Sequence, residues 1–382
     1  MVLNSYFSDS ENRTLLLSLR DTQDYLFNSC LYEFEDIVAE VDAVDLVHPS
    51  PYTLKGDLTK KLLRRQNKNF NKLLELNPFA GELYLEYEYD LLVFTIDFPW
   101  SILAINYLKN WRKKCKTAVC ILVELWDCDI EQYKHFIDFL DNFDFIFLGH
   151  SQVVEKVIEI TNTPCKYLPP GVNAQKFCPV EMNRERTIDL CSLGRRSYVT
   201  HQALLELAET QNFFYYFDSV NQAELSSKLY QEHRTFTANL LKNSRYFITN
   251  YAKVNLPEQT NGQMEIGYRF FEGAAAGTVM IGCPPANHVY HQHFDWEDAV
   301  IPMNFHEPDI ANLLADLDAQ PHRLAKIRYQ NIVNSLLRHD WVYRWEEILF
   351  TVGLKPTLQI NERKKRLQQL ALSLRAKQMT VG

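Results

Sequence analysis

The chain has 382 residues, enough for two domains that each bury a core, and its composition, 46% hydrophobic and 23% charged, is that of a globular protein. A net charge of -8 opposes general nucleic-acid binding, which needs clustered positive charge, and only 12 glycines exclude collagen-like or linker-rich architectures. The eight cysteines form no CxxC pair, the start MVLNSYFSDSENR lacks a basic-then-apolar leader, and no apolar run approaches the roughly 18 residues that span a bilayer, so reduced thiols in a cytoplasmic protein are expected.

In chain order, short apolar runs at Leu15–Leu19, Val44–Val47, Leu91–Ile96, Ala118–Leu125 and Phe143–Leu148 predict a first set of strands. Runs at Thr187–Leu193, Phe213–Phe217, Tyr246–Thr249, Thr278–Ile281 and Val300–Met303 predict a second set. Apolarity over four to eight consecutive residues suits strands buried on both faces, and each run leads into helical periodicity, so the class is α/β with parallel sheets. Between the sets, NTPCKYLPPGVNAQKFCP (162–179) holds four prolines and a glycine and reads as a rigid, extended connector. This predicts an N-terminal domain at 1–165, a C-terminal domain at 166–350, and a basic helical tail at 351–382. Lys55–Leu74 and Asn361–Gln378 are basic and amphipathic; each reads as a solvated face packed on its domain, with peripheral contact to an anionic membrane or acceptor as the alternative.

The segment GQMEIGYRFFEGAAAGTVMIG (262–282) carries the most chemistry. Gly262 and Gly267 let backbone amides approach a ligand. The helix start that follows offers unpaired N–H groups and a positive dipole suited to a diphosphate. Glu272, one turn inside that helix, suits a pair of ribose hydroxyls. Arg269 precedes Glu272 by three residues and shares its face, within reach of phosphate. On glycine spacing alone, a plain strand–loop–helix with a solvated Glu remains the alternative.

RFFEGAAAGTVMIG resembles the signature of retaining GT-B glycosyltransferases, in the family 4-like group and its "glycosyltransferase family 1" C-terminal relatives. Three further segments fall in that family's order: FDFIFLGHS (143–151), LPPGVNAQKFCP (168–179) and the G-R turn LCSLGRR (190–196). The resemblance implies two Rossmann-like domains facing across a cleft, a nucleotide-diphosphate sugar held mainly by the second domain, and an acceptor on the first. It implies that Glu272 holds the donor ribose, that Arg195 or Arg196 meets the diphosphate, and that Glu265 points at the transferred sugar. A guanidinium offers phosphate a fixed fork of donors and stabilises charge on a leaving group.

In the first domain, AVCILVELWD ends a buried strand in Glu124, Trp126 and Asp127, where parallel sheets form ligand crevices. Glu124 or Asp127 is a candidate to orient an acceptor hydroxyl or take its proton, with helix capping the other reading of Asp127. His150 ends the next strand and is a candidate for the same crevice.

Three departures from the family pattern stand out. Glu265 and Glu272 have six residues between them rather than seven, no Lys follows the G-R turn (His201 or Arg196 would have to serve), and SLRDTQDYLF replaces the Gly-rich loop of the first domain. The resemblance still implies a nucleotide-sugar glycosyltransferase of retaining type, with arginines and a helix N-terminus holding the diphosphate in place of a metal, and its acceptor a glycan, lipid or small molecule. A non-catalytic nucleotide-sugar-binding partner and a sugar-nucleotide epimerase are the alternatives.

Overall fold

A computed structural model describes residues 12–22, 26–50, 74, 77–181, 185–218 and 229–379. The basic stretch Lys55–Leu74 falls outside these residues except for Leu74. The chain divides into two compact units, one of residues 1–169, 223–230 and 346–360, the other of 170–222, 231–345 and 361–382.

The first unit is built on a parallel sheet of β1 (Thr14–Leu17), β2 (Val44–Val47), β4 (Tyr89–Ile96), β6 (Cys115–Leu122), β7 (Phe145–Leu148) and β8 (Cys165–Tyr167), in the order β2-β1-β4-β6-β7-β8. A two-stranded pair, β3 (Leu83–Tyr84) and β5 (Leu108–Lys109), lies apart. Helices α1 (Ser29–Val41), α2 (Lys134–Phe139) and α3 (Val154–Ile160) lie in the connections β1–β2, β6–β7 and β7–β8, and the 3-10 stretch Pro99–Tyr107 lies between β4 and β6. Leu15, Leu92, Phe94, Ala118, Cys120 and Ile146 join one apolar cluster with Ile137 and Val157 from the helices. Burial on both sheet faces is the physical reason these strands read as unbroken apolar runs.

The second unit repeats the plan with β9 (Ile188–Ser192), β10 (Tyr215–Phe217), β11 (Ser244–Ile248), β12 (Val279–Gly282) and β13 (Ile301–Pro302), all parallel, in the order β10-β9-β11-β12-β13. Its helices are α4 (Tyr198–Thr210), α5 (Tyr230–Lys242), α6 (Tyr268–Ala275), α7 (His288–His293), α8 (Ile310–Asp318) and α9 (Pro321–Arg338), followed by α10 (Trp341–Thr351) and α11 (Leu358–Met379). In both sheets the second strand lies on one side of the first and the third on the other. That reversal is the switch point at which doubly wound sheets open a crevice beyond their carboxyl ends.

Every apolar run predicted as a strand is one. The connector differs from expectation: Cys165–Tyr167 pairs with β7 as an edge strand, and Ala174–Phe177 forms a helical turn capped by Asn173. Extended backbone beside prolines suits an edge strand, because one side of it needs no N–H donors. In the tail, the Arg363 fork donates to both oxygens of Asp340 at 2.8 and 2.9 Å, and both residues are buried. Ile360, Leu367, Ala371 and Leu374 are buried along the same helix while Lys365, Arg366 and Arg375 are exposed, the pattern of a packed helix with a charged outer face. Among the described residues no helix is long and apolar enough to cross a membrane. The cysteines are all free; Cys30, Cys115, Cys120, Cys178 and Cys191 are buried.

Candidate functional site

The carboxyl end of β9 runs into the turn Leu193-Gly194-Arg195-Arg196. Gly194 takes φ +81°, a conformation side-chain-bearing residues rarely adopt. Its N–H donates to both carboxylate oxygens of Asp218, at 3.1 and 3.0 Å, immediately after β10. Arg196 donates through Nη1 to the same carboxylate and through Nη2 to the Asp218 carbonyl at 2.7 Å, and its guanidinium lies over the Phe217 ring. Arg195, one residue earlier, is exposed and makes no ion pair with a described residue. Ser197 then caps α4, accepting from the Thr200 N–H. His201, one turn into α4, shares a hydrogen bond of 2.9 Å with the Tyr215 hydroxyl; burial and the Arg196 charge lower its pKa.

In the same unit, α6 follows the loop after β11, the neighbour of β9 in the sheet. Gly267 occupies its N-cap position with open space where a side chain would be. The helix ends before Gly277, where φ is +65° and a β-carbon would meet Ile332 Cδ1 at 2.5 Å. Glu272 is 1% exposed and both its oxygens are engaged: Arg269 Nη1 donates to Oε2 at 2.8 Å, and Arg234 Nη1, from α5, donates to Oε1. Burial pushes the Glu272 pKa up, but Arg269 and Arg234 outweigh it and hold the carboxyl at about 2. Arg234 is itself 1% exposed and lies over Phe177. His233 beside it is driven down to about 4 by burial and by Arg269.

The buried Cys191 thiol in β9 registers both features. Burial raises it to about 12, Arg269 opposes that rise, and Asp218 and Glu272 add to it. The order β9-β11-β12 sets the carboxyl end of β9, which leads into the G-R turn, beside that of β11, which leads into the loop before α6. Glu265 sits in the loop before α6, 1% exposed, accepting a hydrogen bond of 2.9 Å from Gln263 Nε2. Gly262, in the same loop, has φ +76°. A separate open cleft of about 470 Å³ follows the ends of β12 and β13, but Glu307, Asp309 and Asp316 line it, and its acidity is the wrong sign for phosphate.

In the first unit, Glu124, Trp126 and His150 come together. Trp126 Nε1 donates to Glu124 Oε1 at 2.6 Å, the His150 ring packs edge-on to Trp126 at 4.4 Å, and His150 Nδ1 bonds the Leu125 carbonyl at 2.9 Å. Asp127 opens a short 3-10 turn (Asp127–Asp129) and pairs with Lys156, and α2 starts only at Lys134. The capping alternative for Asp127 is thus corrected: Trp126 holds the N-cap position of that turn. Where a Gly-rich loop was missing, the end of β1 carries a buried hydrogen-bonded network. Glu35, fully buried, accepts from Ser18 Oγ at 2.6 Å, Thr95 Oγ1 at 2.5 Å and Arg20 Nε at 2.8 Å, and Arg20 also pairs with Asp36.

Asp218 and Arg234 escaped the sequence reading. Asp218 had a signal, an acidic residue closing the second strand of a doubly wound unit, the place where such folds put a ribose-facing carboxylate. Arg234 had none: an arginine on a helix gives no local sign that its charge is buried against another helix.

Residues 222–350 match the family described as "Glycosyl transferase-like". No curated protein matches the sequence. Among solved structures, the chain is similar to an α-glucosyltransferase in complex with UDP and a 13-mer DNA containing an HMU base. The identity is 12%, the match covers 89% of this chain and 99% of that one, and the TM-score is 0.53. A second structure, "alpha-glucosyltransferase (AGT) in complex with UDP", gives 11%, 89%, 99% and a TM-score of 0.51. Against TarM the identity is 10% and the TM-score 0.46, with 69% of this chain covered and only 54% of TarM's length spanned. Residues 222–350 are thus similar to a glycosyl transferase-like family, and the chain has the GT-B fold, with two Rossmann-like units.

Proposed function

We propose that this protein transfers a sugar from a nucleotide-diphosphate donor to an acceptor hydroxyl, with retention at the anomeric carbon. The observation that carries the reading is the second unit's G-R turn, where an amide N–H and a guanidinium already close on a carboxylate, beside a helix start that carries Arg269. Amide, guanidinium and helix dipole are the groups that hold pyrophosphate without a metal ion. In the reaction the bond from the anomeric carbon to the phosphate oxygen breaks, the acceptor oxygen bonds to that carbon, and the nucleoside diphosphate leaves with the new charge. Arg195, Arg196 and Arg269 stabilise that charge. Gly267 gives the diphosphate access to the helix start, Glu272 fixes Arg269, and Glu265 is the further carboxylate on the donor side. Glu124, with Asp127 and His150 near it in sequence and fold, is the candidate to orient the acceptor and take its proton. The UDP named for two structures of similar fold makes UDP-sugars the first donors to try.

The test is donor turnover by the full chain in EDTA, with UDP- and GDP-sugars against glycan, lipid and small-molecule acceptors. Expected is release of the nucleoside diphosphate and an acceptor glycoside of unchanged anomeric configuration by NMR, with turnover down at least 100-fold in Arg195→Ala/Arg269→Ala, on the scale of lost transition-state charge stabilisation. Binding without turnover on every acceptor would mark a partner protein, and donor conversion without acceptor an epimerase; either result ends the transferase reading.

A further inference from the structure

Asn250, at the carboxyl end of β11, commits one end of its side-chain amide to the sheet and leaves the other over. Three hydrogen bonds in succession join the ends of β11 and β12. The Thr249 N–H donates to the Ile281 carbonyl, the Tyr251 N–H donates to the Cys283 carbonyl, and between them the Cys283 N–H donates to Asn250 Oδ1, each at 2.9 Å. The side-chain carbonyl of Asn250 thus stands in for a main-chain rung. Gly282 permits the approach, since a β-carbon there would lie 2.0 Å from the Thr249 carbonyl oxygen and 2.8 Å from Asn250 Oδ1. A backbone N–H can only donate, so the atom facing it is the amide oxygen, and the orientation of the Asn250 amide is fixed. Its NH2 group, with two N–H donors, makes no hydrogen bond with a described residue.

Asn250 also lines a small pocket at the carboxyl edge of the second unit's sheet. Ser192 and Arg196 reach it from the end of β9 and the G-R turn, Thr200 and His201 from α4, and Met303 from just after β13. Oδ1 is turned to Cys283, which is not part of this lining, so the NH2 is the end left to the pocket. No carboxylate lines the pocket, whereas the Arg196 cation does. Its volume of about 10 Å³ is room for one oxygen atom and not for a ring. N–H donors and a cation around an oxygen-sized space suit an anionic oxygen. We propose that Asn250 is a further donor-binding residue, whose NH2 donates to one phosphate oxygen of the nucleotide diphosphate. The inference rests on the reading above that the G-R turn takes that diphosphate.

The competing account is that Asn250 serves the ladder alone. The two accounts differ in what an aspartate does. Asn250→Asp keeps an oxygen for the Cys283 N–H, and with it the rung, but puts a negative oxygen where the NH2 stood. An Asn250 that serves the ladder alone tolerates this change, and one that holds phosphate does not. Asn250→Ala removes the NH2 without adding a charge, so its effect on binding owes nothing to repulsion.

The experiment measures affinity for inorganic pyrophosphate, UDP and GDP by calorimetry, using the full chain, Asn250→Asp and Asn250→Ala, with thermal denaturation of each in parallel. NMR follows the Asn250 side-chain NH2 resonances as pyrophosphate is added, the pair being identified by its absence from the Asn250→Asp spectrum. Expected is binding about tenfold weaker in Asn250→Ala, the scale of one hydrogen bond to a charged group. Binding in Asn250→Asp is expected to be weaker by at least about 100-fold, because repulsion adds to the lost bond, while its thermal midpoint stays close to that of the unaltered chain. The NH2 resonances are expected to shift until the site is saturated. Unchanged affinity in Asn250→Ala, or NH2 resonances unmoved at saturation, with the unaltered chain still binding, overturns the role of Asn250 and leaves the donor reading intact. If the unaltered chain binds none of the three ligands, the donor reading falls and the role of Asn250 with it.

Discussion

The two units carry the same sheet plan and treat its carboxyl edge in opposite ways. In the first, the turn after β1 places Arg20 among Glu35, Asp36, Tyr32 and Tyr230, and Glu35 completes its bonding with Ser18 and Thr95. Burial alone would lower the Arg20 pKa, and Glu35 and Asp36 more than reverse this, so the cation is fully engaged inside the unit. In the second, the turn after β9 keeps Arg195 exposed and holds Arg196 with a carboxylate at the rim. Among the described residues, one switch point carries a buried carboxylate bonded to a guanidinium and two hydroxyls, and the other carries an exposed arginine. A doubly wound sheet thus supplies a place for a nucleotide, and the engagement of its charges decides whether the place is open.

The largest effect that sharpens this contrast comes from the two buried carboxylates. Glu272→Gln and Glu35→Gln are each expected to lose about 3 kcal/mol or more of stability, because each leaves a buried guanidinium uncompensated. In urea denaturation both should fall, but only Glu272→Gln should also lose the diphosphate response at temperatures where it is folded. Loss of that response in Glu35→Gln would break the contrast, since it would make the network at the end of β1 part of the donor site.

A smaller effect separates the arginines. Arg195→Ala should lower diphosphate affinity about tenfold, the worth of one charged hydrogen bond, and leave the thermal midpoint where it was. Arg20→Ala should do the reverse. An Arg195→Ala chain that binds as tightly as before would remove Arg195 from the seat.

The smallest effect is in acid. His233 and His293, both in the second unit, are held at about 4, the first by burial and Arg269, the second by burial and Arg344. Their folded pKa values lie below the ordinary histidine value of 6.5. Their contribution to stability is therefore complete above pH 6.5 and is lost as pH falls through about 4. Glu272, lowered from 4.5 to about 2, adds a loss that begins near pH 4.5 and continues toward 2. Hydrogen exchange followed from pH 7 to 4 should show the second unit loosening, with less loosening in His233→Gln. Equal protection of the second unit at pH 7 and 4 would contradict this assignment.

The strands were legible because burial on two faces writes a continuous apolar run, as in Leu91–Ile96 and Ala118–Leu125. The strand Cys165–Tyr167 was not, because an edge position relaxes the demand for apolar residues and CKY among prolines looks like a loop. At the site, the G-R turn and the Arg269/Glu272 pair were legible because turn chemistry and helical spacing are local. That Glu272 bonds two arginines was not, because Arg234 reaches it from a helix 38 residues earlier.

By itself, then, the sequence determined the α/β class, the strands of both sheets, and which segments bring glycine, arginine and glutamate to a strand end. These follow from hydrophobic period and turn geometry, whose reach is a few residues. The tertiary structure alone decided which charges are engaged: Arg20 with Glu35, Arg234 with Glu272, Arg196 with Asp218. Electrostatic pairing depends on distance and burial in space, and chain spacing carries neither.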